Sequence, residues 1–253
     1  MAVSIKSQRE LDLMREAGRI LNYTLRTLEK AIRPGMATQD IDRIGEETIR
    51  SFGCVPSFLN YNGFPASICV SVNDEVVHGI PDRRHILQEG DIVSLDAGVI
   101  YKGYHADAAR TVAVGSASPE AQKLMDVTKE CFFEGIKYAR AGNHLNDICR
   151  AIAIHAERHG YGVVRDLVGH GIGTHLHEDP EVPNYDMNRR GIRLKPGMTL
   201  AIEPMINAGT WEVEWLDNDW TVVTADGSLS AHYENTVLIT NGEPEIFTLN
   251  DSL

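Results

Sequence analysis

Apolar side chains in the first part of the chain recur at the spacing of an amphipathic helix. They lie three, four or seven positions apart and would share one helical face: Leu11, Met14, Leu21, Leu25, Leu28 and Ile32. The segment SQRE is typical of a capping box, in which Ser7 caps the helix and Glu10 reaches back to it. A second helix is predicted from about Thr38 to Phe52, where Gly53 ends it. The chain is therefore expected to open with two helices.

Short runs of β-branched and other apolar residues follow these helices and predict strands. In the first half they are SICVSV at 67–72 and DIVSLDAGV at 91–99. A third helix is predicted after Ser118, with Pro119 in its first turn, and a fourth ends at His159. Further strand-like runs are MTLAIEPMI, WTVVTA and HYENTVLIT. The order helix, helix, strands thus occurs twice.

Direct comparison of the two halves indicates a duplication. Residues 33–53 align with residues 140–160 at an offset of 107 (140 minus 33), with six identities in 21 positions. The identical pairs are Arg33/Arg140, Gly35/Gly142, Asp40/Asp147, Ile41/Ile148, Arg43/Arg150 and Gly53/Gly160. The same offset places Asp96 on Glu203. The alternative is chance similarity between amphipathic helices. We favour one α/β domain, residues 1–253, with similar halves of about 1–115 and 116–253 that face each other.

Composition and charge narrow the function classes. Apolar residues make up 43% of the 253 residues, which is enough for a sizeable core and argues against disorder. The sequence has neither a membrane-length apolar run nor an apolar signal region, so we expect a cytoplasmic protein. The four cysteines form no CxxC pair, which disfavours a thiolate zinc site. The net charge of -12 argues against a broad nucleic-acid surface, and no Gly-rich phosphate loop is present.

Two aspartates interrupt the apolar segment SLDAGVIYKGYHADAART. Aspartate is a poor strand former, and burying a carboxylate is costly unless it is paired. A hairpin with Tyr101–Lys102 at its tip would set Asp96 directly opposite Asp107, whereas a one-residue slip would separate them. The pair could share a proton, pair with Arg110 or Lys102, or hold a cation. An isolated aspartate would more simply mark a turn or a strand edge.

Two acids in the second half and several histidines extend this pattern. Glu203 lies in TLAIEPM and Glu234 in HYENTVLI, each beside an apolar run. The Gly-rich segment VGHGIGTHLHEDP adds three histidines on a backbone free to bend: His170, His175 and His177. His78 lies in a similar loop, VVHGIP. Each residue alone could be structural, but four acids, one at each of four strand segments, indicate a shared site.

Four carboxylates and an imidazole suit a pair of divalent cations. Oxygen-rich ligation favours Mn²⁺, Fe²⁺ or Co²⁺ over zinc. Such two-metal sites need bridging carboxylates, generate a hydroxide at neutral pH, and occur in aminopeptidases among other hydrolases.

The motifs resemble those of the type I methionine aminopeptidases. GHGIGTHLHEDPEVPNY matches a Gly-His-Gly motif with a second histidine seven residues after the first. SLDAGVIYKGYHADAART, IEPMINAG and YENTV match the family's other metal-ligand segments in order and spacing. The resemblance covers nearly the whole chain. It implies the pseudo-symmetric pita-bread fold, two duplicated α/β halves around a central antiparallel sheet.

The resemblance also implies roles for individual residues. Two divalent cations (Co²⁺, Mn²⁺, Fe²⁺ or Zn²⁺) would be held by Asp96, Asp107, His170, Glu203 and Glu234. A hydroxide bridging the cations would attack the carbonyl of an N-terminal methionine, with Glu203 assisting proton transfer. His177 would hydrogen-bond the oxyanion, and His78 would lie beside the scissile nitrogen. The methionine side chain would enter a pocket formed by Tyr61, Phe64, Cys69 and Trp220.

Several positions depart from the usual family pattern. Phe58 stands where Cys is frequent, Phe64 where Tyr is, and Leu176 where Phe is. His232 and Asn235 stand where Gln and His are usual. None of these departures removes an implied ligand, but the first three bear on the shape of the pocket.

The implied activity is removal of the N-terminal methionine from nascent proteins whose second residue is small. The resemblance further implies a monomer that has transient contact with the ribosome and binds neither membrane nor specific nucleic acid. Two alternatives stay open. One is a proline-directed aminopeptidase or prolidase on the same fold, and the other is a pita-bread binding protein without catalysis.

Overall fold

Four helices cover the strands in the computed structural model, which describes residues 3–249. They are α1 (Gln8–Ala31), α2 (Thr38–Ser51), α3 (Pro119–Ile136) and α4 (Leu145–Arg158). The predicted caps are present: the Ser7 amide donates to the Glu10 carboxylate at 2.7 Å, and the Ser118 hydroxyl accepts from the Ala121 amide at 3.1 Å. All four helix predictions are confirmed.

The strands of the first half are β1 (Val55–Pro56), β2 (Ile68–Val72), β3 (Glu75–Val77), β4 (Ile92–Tyr101) and β5 (Tyr104–Ala113). Those of the second half are β6 (Gly162–Val163), β7 (Gly169–Gly171), β8 (Glu178–Val182), β9 (Thr199–Ile202), β10 (Met205–Asn207), β11 (Val213–Trp215), β12 (Val222–Thr224), β13 (Ser230–His232), β14 (Asn235–Leu238) and β15 (Glu245–Ile246). Short 3-10 turns occur at Tyr61–Gly63 and Phe247–Leu249.

Antiparallel pairing organises the strands of residues 3–249 into four sheets. In one, β4 pairs with β1, β2 and β5, and in another the order is β15-β14-β9-β7-β8. The remaining two have the orders β13-β10-β6 and β11-β12-β3. The runs predicted as single strands around Glu203 and Glu234 are each divided in two, into β9 and β10 and into β13 and β14.

The duplication seen in the sequence is reproduced in the pairing. Helix α4 begins 107 residues after the start of α2 (145 minus 38) and ends 107 residues after its end (158 minus 51), the offset found in the sequence. The pairs Pro56↔Val99 and Val163↔Ile206 are related by that offset too. Gly90 and Gly197 both adopt positive φ, +92° and +88°, which glycine permits at little cost. The predicted α/β class with two similar halves is confirmed.

The two halves meet along β5 and the junction of β13 with β14. Ala109 and Glu234 exchange backbone hydrogen bonds, with N–O distances of 3.4 and 3.0 Å. The Thr236 hydroxyl accepts from the Asp107 amide and donates to the Asp107 carbonyl, at 2.9 Å each. The guanidinium of Arg110 donates to the Glu234 carbonyl at 2.5 Å and to the Asn235 side chain at 2.7 Å. This contact fixes the acids of one half against those of the other.

Each half buries its own hydrophobic core. One cluster joins α1 and α2 to β2, β4 and β5, and a second joins α3 and α4 to strands of the second half. A third, smaller cluster lies where the halves meet and includes Met14, Phe64 and Leu176. Within residues 3–249, no helix combines the length and apolarity needed to cross a membrane. The single domain of residues 1–253, with halves divided near residue 115, stays a prediction, and its outermost residues lie outside those described.

The register of the β4–β5 hairpin differs from the prediction. Tyr101 pairs with Tyr104, so Lys102 and Gly103 form the tip. Both tip residues have positive φ, +48° and +86°, as a two-residue hairpin turn of type I′ requires, and glycine adopts this conformation most readily. Asp96 therefore pairs with Ala109 instead of Asp107. The observed register differs from the predicted one by two residues. Because side chains alternate between the two faces of a sheet, an even shift leaves Asp96 and Asp107 on the same face.

Candidate metal centre and substrate pocket

A cavity of about 210 Å³ lies where the two halves meet. The candidate residues named from the sequence line it together: Tyr61, Phe64, Cys69, His78, Asp96, Asp107, His170, His177, Glu203, Trp220 and Glu234. Phe58, Asn62 and Leu176 complete the lining. His175 does not take part, because its side chain is 71% exposed on the outer side of the Gly-rich loop.

Breaks in the strands of the second half bring its acids into the cavity. Glu203 separates β9 from β10, and Pro204 after it has no amide hydrogen to continue the ladder. Glu234 separates β13 from β14. The pairs Ile202↔Asn235 and Met205↔His232 flank the two breaks, so Glu203 lies across from Glu234. Asp96 and Asp107 reach the same cavity from the uninterrupted hairpin.

Buried carboxylate oxygens at this site have no hydrogen-bond partner among the described residues. They include Asp96 Oδ1, Asp107 Oδ1 and Glu234 Oε1. Burial raises the pKa of all four acids, and neighbouring carboxylates raise the pKa of Asp107 and of Glu234 further. Unpaired buried acids are costly, so a positively charged group is needed to stabilise their ionised form. The donor set therefore fits divalent cations.

The donor atoms fall into two groups that share Glu234. Asp107, His170 and Glu234 form one, and Glu203, His232 and Glu234 form the other, with the donor atoms of each group within 4.8 Å of one another. His170 Nε2 lies 3.8 Å from Asp107 Oδ2 and 3.7 Å from Glu203 Oε1. His170 Nδ1 donates to the Gly171 carbonyl at 2.8 Å, which leaves the Nε2 lone pair free for a cation.

His232 is a buried residue beside Glu203 that the sequence reasoning noted only as a departure from the family pattern. Its counterpart in the first half is Asp107. Leu95 pairs with Arg110, and Ile202, which is 107 residues after Leu95, pairs with Asn235. Arg110 in the first half therefore corresponds to Asn235 in the second half, 125 residues later. The same offset of 125 makes Asp107 the counterpart of His232. The shared Thr-Val of ARTV and ENTV is the sequence signal that could have revealed this second alignment.

Two further histidines are held at the cavity by ring contacts. The Tyr61 hydroxyl lies 2.7 Å from His177 Nδ1, and the His177 ring lies 4.2 Å from that of His170 between centroids. His78 packs edge-on against Trp220 at 6.3 Å and has a positive φ of +59°, an uncommon backbone conformation for a residue other than glycine. Burial lowers the pKa of His78 to about 4, so its imidazole is neutral at pH 7.

An apolar pocket adjoins the carboxylates. Phe64 and Trp220 meet edge to face at 5.1 Å, and Phe58, Cys69 and Leu176 are buried beside them. Cys69 pairs directly with Asp96 across β2 and β4, and burial raises the pKa of its thiol. The pocket can therefore take an unbranched apolar side chain next to the acids.

The chain matches known proteins over almost its full length. The model of metallopeptidase family M24 matches residues 12–241. The methionine aminopeptidase of Clostridium acetobutylicum is 56% identical over 247 residues, 98% of this chain and 99% of that protein. Among solved structures, methionine aminopeptidase from Rickettsia prowazekii has a TM-score of 0.96 at 40% identity, covering 98% of this chain and 100% of that chain.

A more distant likeness joins the chain to a proline-directed enzyme. Xaa-Pro dipeptidase from Bacillus anthracis has a TM-score of 0.79 at 25% identity. It covers 98% of this chain, whereas this chain covers only 63% of that enzyme.

Proposed function

The chain belongs to metallopeptidase family M24, and on this premise we propose that it is a methionine aminopeptidase. It would remove the N-terminal methionine from nascent polypeptides whose second residue is small. The observation that carries this proposal is the cluster of unpaired buried carboxylates directly beside a narrow apolar pocket. The likeness to methionine aminopeptidases over 98% of the chain supports it.

Two divalent cations would occupy the acid cluster, with Asp96, Asp107, His170, Glu203 and Glu234 as ligands. Co²⁺, Mn²⁺, Fe²⁺ and Zn²⁺ all suit these donors, because carboxylates and an imidazole can coordinate each of them. When bound, the cations would lower the pKa of a water molecule and polarise the scissile carbonyl. Glu234 lies in both donor groups, which supports a bridging position for it.

The protein's own side chains would position the substrate and move protons. Burial raises the pKa of Glu203, so this carboxylate is suited to accept the proton of the attacking water and return it to the leaving amine. If the Tyr61 hydroxyl donates to His177 Nδ1, then Nε2–H of His177 points its proton toward the substrate carbonyl. His78, neutral at pH 7, would contact the peptide nitrogen without a charge penalty.

The shape and lining of the pocket support the proposed choice of methionine. Its buried floor of Phe58, Phe64, Cys69 and Leu176 offers only apolar contacts, and a flexible thioether fills such irregular space well. The residue after methionine would lie between the more exposed lining residues, Asn62 and His177. A large second side chain would have to displace them. The same proposal places the enzyme in the cytoplasm as a monomer that meets nascent chains at the ribosome.

A proline-directed activity is the competing proposal, and the resemblance to Xaa-Pro dipeptidase supports only the shared fold. A peptide panel separates the two. We expect the metal-loaded protein to release methionine from Met-Ala-Ser and to leave Xaa-Pro peptides intact. Asp107→Ala should abolish this cleavage while circular dichroism stays unchanged, whereas Asp126→Ala, an exposed acid on α3, should keep full activity. Undiminished turnover by the Asp107 variant, or preferential cleavage of Xaa-Pro, would overturn the proposal.

A further inference from the structure

His232 is a buried imidazole whose two ring nitrogens both lack a hydrogen-bond partner among the described residues. Its side chain is 1% exposed. Buried polar groups are nearly always satisfied, and leaving one unpaired costs about 1–3 kcal/mol. An imidazole with two unsatisfied nitrogens beside a cluster of acids is therefore available to bind a group that the protein itself does not supply.

The backbone holds this imidazole in place. The Thr111 hydroxyl accepts from the His232 amide at 2.8 Å and donates to its carbonyl at 2.9 Å. The backbone of His232 also pairs with Met205 across β13 and β10. Because Thr111 lies on β5, both halves of the fold determine the position of the ring.

The ring points at one of the acids without a hydrogen bond to it. His232 Nε2 lies 3.5 Å from Glu203 Oε2, longer than the 2.7–3.2 Å range of ordinary N–H···O bonds. Together with a Glu234 oxygen, these donor atoms lie within 4.8 Å of one another. A spacing of this kind, with unsatisfied donors, suits a cation between them better than a direct contact.

We propose that His232 is an additional metal ligand, which binds one cation of the acid cluster beside Glu203 and Glu234 while His170 binds the other. This inference rests on the two-cation site of the proposed function and extends its ligand set. Each cation would then have one imidazole, and Glu234 would be shared. The cation bound by His232 would then have an imidazole nitrogen among its ligands instead of oxygen atoms alone. Such a ligand set favours the later transition metals over Mn²⁺.

X-ray absorption at the cobalt edge tests the proposal on the unchanged protein. With two equivalents of Co²⁺ bound, the average number of imidazole ligands per cation should be about one, because His170 and His232 each bind a cation. If His170 alone binds, the average would be about one half, and that result would overturn the proposal. The measurement needs no variant, so a failure of a variant to fold cannot obscure it.

Calorimetric titration of the metal-free protein with Co²⁺ gives a second readout. His232→Gln should weaken one of the two binding steps about 10–100-fold and leave the other nearly unchanged. His105→Gln is the matched control, since His105 is also buried but its Nδ1 contacts the Ser57 hydroxyl at 3.0 Å and it belongs to neither donor group. The control should bind both cations as the unchanged protein does.

The outcomes separate this inference from the proposed function. If the unchanged protein takes up two cations and cleaves Met-Ala-Ser, but His232→Gln binds both equally well, the role of His232 is wrong and the proposed function stands. If the unchanged protein takes up no cation, both are wrong.

Discussion

Asp107 lies directly across from Gly98 in the β4–β5 hairpin, and the two residues share a face of the sheet. A Cβ atom at Gly98 would lie 2.6 Å from Ser57 Cβ and 3.0 Å from Phe58 Cε1. The missing side chain of Gly98 thus makes room for the segment that carries Phe58 into the apolar pocket. The face with the proposed metal ligands and the pocket are joined at this one position.

We expect Gly98→Ala to destabilise the protein by about 1–3 kcal/mol, because the added methyl group forces this close-packed contact apart. Displacement of Phe58 should also raise KM for Met-Ala-Ser. Urea unfolding and steady-state kinetics measure the two effects. Gly242→Ala is the control, since no atom lies within 4 Å of a Cβ there, and it should change neither quantity. If Gly98→Ala and Gly242→Ala had the same stability and the same KM, the close packing of Gly98 against Ser57 and Phe58 would be contradicted.

The stability of the metal-free protein should depend on pH in an unusual direction. Burial raises the pKa of Asp96 to about 7 and that of Glu203 to about 8. A carboxyl with a raised folded pKa stabilises the fold while protonated, and this contribution is lost as pH rises through the folded value. The free energy of unfolding should therefore fall between about pH 6.5, where ordinary histidines are already neutral, and about pH 8, above which these acids are ionised in both the folded and the unfolded state.

Saturating Co²⁺ should remove this slope, because bound cations stabilise the ionised carboxylates. Urea unfolding at a series of pH values, with and without metal, makes the comparison. A metal-free protein whose stability stays level or rises over that window would show that the acids are ionised without cations.

An N-terminal arm holds the loop that carries His177. The Lys6 ammonium lies 2.7 Å from Glu178 Oε2, and both side chains are largely buried. The Ser4 hydroxyl donates to the same oxygen at 2.7 Å, and the His175 amide donates to Glu178 Oε1 at 3.2 Å. The arm and the loop therefore depend on each other.

Lys6→Met should destabilise the protein by about 3 kcal/mol, since it leaves the Glu178 carboxylate buried without its cation. Activity should fall with it, because the adjacent His177 loses its support. Lys137→Met is the control, because Lys137 and its partner Glu134 lie on the surface. Its loss of stability should stay below about 1 kcal/mol. Thermal unfolding and peptide cleavage of both variants test this, and equal losses would show that burial of the pair is unimportant.

Tyr61 should set the tautomer of His177 through its hydroxyl, 2.7 Å from Nδ1. Tyr61→Phe keeps the ring in the pocket but removes this partner, so we expect kcat to fall about tenfold with little change in KM. Tyr104→Phe removes a comparable hydroxyl bond, to Glu10 at 3.0 Å, outside the cavity and should keep full kcat. Unchanged kcat in the Tyr61 variant would show that this hydroxyl does not set the tautomer of His177 on which catalysis depends.

The sequence was sufficient for the elements and for the duplication. Helix caps such as Ser7 and Ser118 are local signals, because their capping hydrogen bonds join residues only three positions apart. The repeat was readable because glycines such as Gly90 and Gly197 occupy turn positions that few other residues can adopt. Asp96 and Glu203 pointed to one site for the same reason: they occupy equivalent positions in the two halves, and duplication preserves position.

Three features were decided only by the tertiary structure. The hairpin register depended on which two residues adopt positive φ at its tip, Lys102 and Gly103, a choice that hydrophobic alternation does not fix. The breaks at Glu203 and Glu234 lie where each run passes from one sheet to another, since β9 and β14 belong to one sheet and β10 and β13 to a second. His232 gained its place among the acids through the Thr111 contact, made across 121 residues of sequence. The sequence alone thus determined which residues are proposed to carry the chemistry, because local propensity and duplication are written along the chain. The pairing of strands from the two halves decided which of those side chains face one another, since that depends on contacts between distant segments.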